Sequence, residues 1–327
     1  MKMAILGAGG IAGKMAYTID RMEQVESYAI GARDIERAKE FAKEYHIEKA
    51  YGSYEDMLRD TEIELVYIAT PHSHHYQHAM MCLKAGKHVL CEKAFTCTAE
   101  QAKKLVEVAR EKKLLLAEAM WIRYLPLATT LREVLDSGII GKVTSVTANL
   151  GYRISHVPRL LQPELAGGAL LDLGVYPINF ASMILGANVS KVSSNAIMTD
   201  TGVDSQNGIM LTYEDGSMAV INSTMLAETT KEGAIYGDKG HIIVDNINNF
   251  EKIHVFNLDK EEVAVYDQPE QISGFEYQVE AAIKSIQNME IECPQLPHSE
   301  MIRIMQLMDN LREEWGVKYP EEITKID

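Results

Sequence analysis

The first 120 residues alternate short apolar runs with helical patterns, and this rhythm restricts the fold more than any other feature of the chain. The runs are "KMAILGA" (2–8), "SYAIGA" (27–32), "ELVYIAT" (64–70), "HVLCEKA" (88–94) and "LLLAEAM" (114–120). Helical patterns lie between them, at about 11–22, 34–46, 53–60, 73–85 and 98–112. Strands that are apolar throughout belong in a parallel sheet covered on both faces. Strict alternation of strand and helix makes that sheet doubly wound. The helix starts carry their own signals: Asp34, Ser53 and Thr98 precede helical runs, and Gln101 follows Thr98 three residues later. Gly86 closes the fourth helix, and Ser73 is a candidate cap for it.

The second half changes style. "GKVTSVTANLGYR" (141–153) reads as a long strand, and "GIMLTYEDGSMAVINSTM" (208–225) as a hairpin around Asp215-Gly216. "AIYGDKGHIIVDN" and "EKIHVFNLDKEEVAVYD" repeat the device. The expected architecture is a large, mostly antiparallel open sheet of about six strands. Helices near 168–185, 275–289 and 299–314 accompany it. The boundary falls at "MWIRYLP", where Pro126 follows the last parallel strand. Two domains are therefore expected, an α/β domain over 1–121 and an α+β domain over 122–327.

Charge and composition exclude several classes. The chain has 32 Lys+Arg against 47 Asp+Glu, a formal net charge of −15. That balance disfavours nucleic acid and anionic membranes as partners. No uninterrupted apolar stretch reaches the ~18 residues of a membrane span. The apolar N-terminal run is broken by Gly7, Gly9, Gly10 and Gly13, which suits a strand and turn better than a signal peptide. The four cysteines form no C-x-x-C pair, so neither zinc nor a redox motif is indicated. Reduced thiols of this kind fit a cytoplasmic enzyme.

The turn after the first strand reads Gly7-x-Gly9-x-x-Ala12 and opens a helix, the setting of a dinucleotide-binding (Rossmann) fingerprint. Gly7 permits the tight turn, Gly9 a close backbone approach to a pyrophosphate, and Ala12 close packing of helix on sheet. With Gly10 and Ile11 they form the expected phosphate cradle at a helix N-terminus. The second strand ends on Ala32, followed by Arg33 and Asp34. A guanidinium there suits a 2′-phosphate, which favours NADP and leaves NAD possible. Asp34 is either the ribose acid or a helix N-cap.

Further strand ends reach the same edge, outside which ligands of such sheets bind. The third ends in Thr70 and Pro71, followed by His72, His74, His75 and His78. One or two of these imidazoles are expected in the crevice and the rest in solvent. The His74/His78 spacing permits zinc, but nothing around it supports a metal site. The fourth ends in Glu92 and Lys93, an acid and an amine aimed at the cofactor region. Trp121 and Arg123 follow the fifth; Trp121 fits either the site or packing at the domain boundary. Farther on, Asp172 and Tyr176 share one helix face at i, i+4 within an apolar helix. A buried acid there needs a cationic or hydrogen-bonding partner, and Lys93 is one candidate. Arg153, His156 and Arg159 lie on a loop able to reach a polyol or sugar.

"AGKHVLCEKAF" resembles the A-G-K-H-V-x-x-E-K-P signature of the glucose–fructose oxidoreductase/inositol dehydrogenase (Gfo/Idh/MocA) family, with Ala94 in place of the usual proline. "ATPHSHH" resembles its T-P-x-x-x-H, which maps to Thr70, Pro71 and His75. "EAMWIRYLP", "GGALLDLGVYPINFASMILG" and "TGVD" resemble the branch of dimeric dihydrodiol dehydrogenase and NADP-dependent xylose dehydrogenase. The resemblance spans essentially the whole chain. It implies hydride transfer between a nicotinamide cofactor and a secondary alcohol or carbonyl of a sugar, polyol or dihydrodiol. It places Lys93 beside the nicotinamide and the substrate hydroxyl and makes Tyr176 the acid/base, with Asp172 beside it. Glu92, His72, Trp121 and Arg123 fall with the cofactor residues, and Trp121, Arg153, Asp172 and Tyr176 with the substrate. It also implies a homodimer formed through the C-terminal sheet. A cofactor-sensing regulator of the same fold is the rival reading, and an inositol or amino-sugar dehydrogenase a second; such relatives more often carry His at position 176.

Overall fold

The computed structural model describes residues 1–326 and divides into two compact units. The first comprises Met1–Trp121, Gln271–Met305 and the tail from Glu321; the second comprises Ile122–Glu270 and Gln306–Pro320. The expected boundary after residue 121 is one crossing point. The second expected domain differs from the second unit, because residues 271–305 and those after 320 pack with the first. Nothing local in the sequence signals that return.

The first unit runs β1 (Lys2–Leu6), α1 (Gly10–Ile19), β2 (Glu26–Gly31), α2 (Ile35–Glu44), β3 (Lys49–Tyr51), α3 (Tyr54–Leu58), β4 (Leu65–Ile68), α4 (His75–Lys84), β5 (His88–Glu92), α5 (Ala99–Lys112) and β6 (Leu116–Ala119). The six strands are parallel, in the order β3-β2-β1-β4-β5-β6. The order reverses between β1 and β4, so a crevice opens at their carboxyl ends. Strands β4 and β6 are buried at every residue, Glu118 of β6 included, as strands covered on both faces are. The caps work as read: Asp34, Ser53 and Thr98 each accept from the backbone N–H three residues on. Helix α4 starts at His75 rather than 73, after a 3₁₀ turn over His72–His74; Ser73 Oγ bonds His74 Nδ1 instead of capping. Strand β3 is a short addition, since "KAY" is too brief to register as an apolar run. β6 would be an exposed edge, but the Leu116 N–H donates to the Ile291 carbonyl (3.0 Å) and His298 Nε2 bonds the Leu116 carbonyl (2.8 Å).

The second unit contains α6 (Pro126–Asp136), β7 (Val143–Gly151), α7 (Val175–Leu185), β8 (Val189–Met198), β9 (Asp204–Tyr213), β10 (Met218–Thr224), β11 (Gly233–Gly237), β12 (Gly240–Asp245), β13 (Lys252–Asn257) and β14 (Glu262–Asp267). Then follow α8 (Glu276–Gln287), which belongs to the first unit, α9 (His298–Trp315), along which the chain passes back to the second, and α10 (Glu321–Thr324). The sheet has eight strands, in the order β14-β13-β12-β11-β7-β10-β9-β8. Only β7 and β10 pair in parallel. One face is covered, with Ala219, Ile221, Ile209 and Leu211 buried. By register, the other face carries Ile197, Met210, Val220, Tyr236 and Val265, all exposed. Tyr236, His241 and Phe256 form a ladder of near-parallel rings across β11, β12 and β13. The stretch 163–185 is long and apolar enough by length and composition to cross a membrane, though Glu164, Asp172 and Asn179 interrupt it, and its most apolar 18-residue window is 83% buried inside the fold, as a core helix is.

Candidate active site

In the first unit the site residues gather at the carboxyl ends of β1, β2, β4 and β5. Gly7 has φ of +104°, and a Cβ there would lie 3.0 Å from Thr70 Cγ2 and 3.1 Å from the Ala69 carbonyl oxygen. Only glycine both makes this turn and lets β1 pass so close to the end of β4. Gly9 is the N-cap of α1 and no side chain caps that helix, so the amides of Gly10, Ile11 and Ala12 lack a side-chain acceptor. A Cβ at Gly10 would meet nothing within 4 Å. Open space before an uncapped helix N-terminus fits a dinucleotide pyrophosphate.

At the end of β2, Ala32 is buried and Arg33 is exposed, with no hydrogen bond or ion pair among the described residues. Asp34 settles as the N-cap of α2, accepting from the Arg37 amide at 2.8 Å. The same Arg37 sends Nη2 to the Ala8 carbonyl at 2.6 Å. The glycine turn is thus tied to a second guanidinium, which the sequence reading missed. The i, i+4 pair of arginines in "RDIER", around a cap residue, was the available signal.

The histidines depart from expectation. His72, His75 and His78 are all buried, and none of these three is a solvated side chain. His75 has 0% of its surface accessible; its Nδ1 bonds the Ala94 carbonyl and its Nε2 the Thr70 carbonyl, both at 2.8 Å. It therefore pins the loop after β4 to the loop after β5, rather than touching a cofactor directly. His78 bonds Thr70 Oγ1 at 3.0 Å. Burial lowers the pKa of His75 to about 4 and that of His78 to about 3, so both are neutral near pH 7. No group of side chains able to hold a metal occurs among the described residues.

Strand β5 ends in Glu92, which is buried, and Lys93, which is partly accessible. Tyr67, in the middle of the sheet, donates its hydroxyl to Glu92 Oε1. The Lys93 amide donates to Glu92 Oε2 at 3.2 Å. Burial raises the Glu92 pKa, opposed by the Tyr67 hydroxyl and then by the charge of Lys93. The acid thus belongs to the sheet interior and the amine to the crevice edge. The Lys93–Ala94 peptide bond is cis. Trp121, 6% exposed, packs within the first unit against Phe275, with ring centroids 5.0 Å apart, and the Lys14 ammonium lies 4.5 Å and 4.1 Å from the two centroids.

In the second unit, Leu170–Gly174 forms a π-helical turn that leads into α7. Asp172 lies in this turn and Tyr176 in the first turn of α7, and both are buried. Asp172 Oδ1 accepts from Nη1 and Nη2 of Arg159, each at 3.2 Å. Within this unit the acid's ion-pair partner is therefore Arg159. Arg153 and His156 are exposed on the same loop. Arg123 reaches α7: its Nε donates to Asn179 Oδ1 at 2.6 Å and its Nη2 to Ser182 Oγ at 3.3 Å.

A glycine-lined helix N-terminus at the switch point of a parallel sheet, with a lysine at a neighbouring strand end, defines an NAD(P)-dependent oxidoreductase. Residues 1–120 match the family model for the oxidoreductase family with an NAD-binding Rossmann fold, and residues 128–243 match the GFO/IDH/MocA C-terminal domain. The chain belongs to the GFO/IDH/MocA family. It is 33% identical to a trans-1,2-dihydrobenzene-1,2-diol dehydrogenase of Xenopus tropicalis, over 98% of this chain and 99% of that one. It is 36% identical to a D-xylose 1-dehydrogenase (NADP(+)) of Hypocrea jecorina, over 84% and 79% of the two chains. Among solved structures, a 3-ketoreductase from Actinomadura kijaniata in complex with NADP and TDP-benzene superposes with a TM-score of 0.86 at 26% identity, covering 96% of this chain and 97% of that one.

Proposed function

We propose that the protein is an NADP-preferring dehydrogenase or reductase acting on a secondary alcohol or carbonyl of a sugar, polyol or dihydrodiol, with Lys93, Tyr176 and Asp172 as its reacting side chains. The single observation that carries this reading is Lys93, held at the crevice edge by a strand whose preceding acid is buried under the Tyr67 hydroxyl. The relatives' names, which include a diol and an aldose dehydrogenase, support the substrate class. Arg33 and Arg37, at the end of β2 and on α2, support a 2′-phosphate there.

Oxidation of such an alcohol removes a proton from oxygen and a hydride from carbon. A nicotinamide cofactor held at the glycine turn before α1 would supply the hydride acceptor and a positive charge. Tyr176 takes the hydroxyl proton in oxidation and returns one in carbonyl reduction. A free tyrosine titrates near ~10, so only about one in a thousand is ionised at neutral pH. A cation about 4 Å away, at an effective dielectric of ~20, is worth on the order of 4 kcal/mol, or about three pK units. Such a cation is what the tyrosine requires, and Lys93 is assigned to polarise the substrate oxygen. Asp172, paired with Arg159, lies four residues before Tyr176.

A regulator that only senses cofactor would not need both Lys93 and Tyr176. The open sheet face, with Ile197, Met210, Val220 and Tyr236 exposed, supports a homodimer through that sheet. Four buried cysteines accord with a cytoplasmic setting.

The test is a panel of aldoses, polyols and diols with NADP and NAD, followed by absorbance of the reduced nicotinamide. Lys93→Met is expected to lower kcat by at least about 10²-fold while NADP still binds. Near-normal turnover in that variant refutes the assignment. Light scattering of the native chain and of Val220→Glu tests the dimer; a monomeric native chain rejects it.

A further inference from the structure

The π-helical turn rests on a buried polar chain that no catalytic role has yet used. The segment Gly167-Gly168-Ala169 that precedes the turn offers no side-chain cap. The Leu170 amide is instead satisfied by Asp204, 34 residues later, whose Oδ2 accepts at 2.9 Å. The same oxygen accepts from Asn207 Nδ2 at 2.8 Å, and Asn207 Oδ1 accepts from Ser223 Oγ at 3.1 Å. Ser223 in turn faces Gly174, where a Cβ would lie 3.1 Å from its Oγ. The chain Asp204–Asn207–Ser223 therefore underlies the turn from its first residue to its last. Asp204 is 1% exposed, and its Oδ1 has no hydrogen-bond partner among the described residues. A neutral side chain could accept the same amide proton without the cost of burying a carboxylate. Negative charge at the start of a helix offsets part of that cost, since it lies at the positive end of the helix dipole.

The turn's geometry matters for what it carries. In an α-helix, residues four apart overshoot one 3.6-residue turn. In a π turn, with i→i+5 bonding, they fall short of one. The relative direction of the Asp172 and Tyr176 side chains thus depends on whether 170–174 stays π-helical.

We propose that Asp204 is a positioning residue for the reaction: its carboxylate anchors the π turn and so sets the orientation of Asp172 relative to Tyr176. The proposal rests on the assignment of Tyr176 as acid/base.

The experiment compares Asp204→Asn, Asp204→Leu and Tyr176→Phe for kcat, substrate KM, NADP binding and amide hydrogen exchange over 168–178. Asp204→Leu is expected to lower kcat by about 10²-fold, the scale of a small misplacement. NADP binding should change by less than about 2-fold, because the fingerprint lies in the other unit. Asp204→Asn keeps an oxygen acceptor for the Leu170 amide and should recover kcat to within about 10-fold of the native enzyme. A folded Asp204→Leu with kcat within about 2-fold of native overturns the proposal, as does an equal loss in the Asn and Leu variants. If Asp204→Leu does not fold, the Asn variant decides by exchange: faster exchange of the 170–176 amides supports the anchor, and unchanged exchange overturns it. If Tyr176→Phe keeps native turnover, the catalytic assignment fails and the exchange comparison alone decides the anchor.

Discussion

Replacing Tyr67 with phenylalanine removes one oxygen from the centre of the parallel sheet and isolates the charge beside Lys93. Tyr67 is fully buried, pairs with Leu90 across β4 and β5, and donates to Glu92 Oε1. A hydrogen bond to a charged group contributes about 1.5–3 kcal/mol, so Tyr67→Phe should cost that much while Glu92 is ionised. The Glu92 pKa is already raised in the fold, chiefly by burial, and loss of the hydroxyl should raise it further. The folded state then holds the Glu92 proton more tightly than the unfolded chain, whose glutamate titrates near ~4.3. Stability from this group is fully present below that value and is lost as pH rises through the folded pKa. The destabilisation by Tyr67→Phe should therefore be under about 1 kcal/mol near pH 4 and grow to about 1.5–3 kcal/mol by pH 8. Urea unfolding of both proteins at the two pH values measures it. An equal cost at both would mean the hydroxyl does not serve a charged carboxylate, and the electrostatic account of β5 would fall.

Other outcomes follow from the same contacts. Arg37→Ala should weaken NADP about tenfold and NAD less than twofold, by calorimetric titration; equal losses would remove Arg37 from the 2′-phosphate site. Gly168→Ala places a Cβ 2.4 Å from Asp204 Oδ1 at a φ of +115°, so it should cost on the order of 1–3 kcal/mol or more in thermal unfolding. Burial pushes the Asp204 pKa up to about 6. Its stabilising share, present below the unfolded value of ~3.9, is lost as pH rises through about 6. The native protein's stability advantage over Asp204→Asn should thus shrink by up to ~3 kcal/mol between pH 4 and pH 7, read by denaturant midpoints.

What the sequence made legible was local. Asp34, Ser53 and Thr98 cap helices where their side chains say they should, because an N-cap is decided within three residues. The glycine turn and Lys93 were legible because strand ends in a parallel sheet share one edge. Strand β8 was not, since "VSKVSSNAIM" is a half-polar edge strand with no clean alternation. The π turn was hidden because "LLDLG" reads as ordinary apolar helix, and its cause, Asp204, lies 34 residues away from Leu170. "TGVD" stood out in the sequence, yet no spacing rule shows which amide its aspartate serves. The burial of three histidines also depended on long-range packing, with His75 reaching the carbonyl of Ala94.

The closure of β6 by Ile291 and His298 has a consequence for synthesis. On a ribosome, the first sheet emerges with one flank bare, and the segment that seals it is made roughly 170 residues after β6. At ordinary elongation speeds that leaves on the order of ten to forty seconds during which the β6 edge offers unpaired amides to any neighbour. A nascent chain arrested near residue 270 should accordingly be a strong client for chaperones that shield β-edges, and one arrested beyond α9 should not.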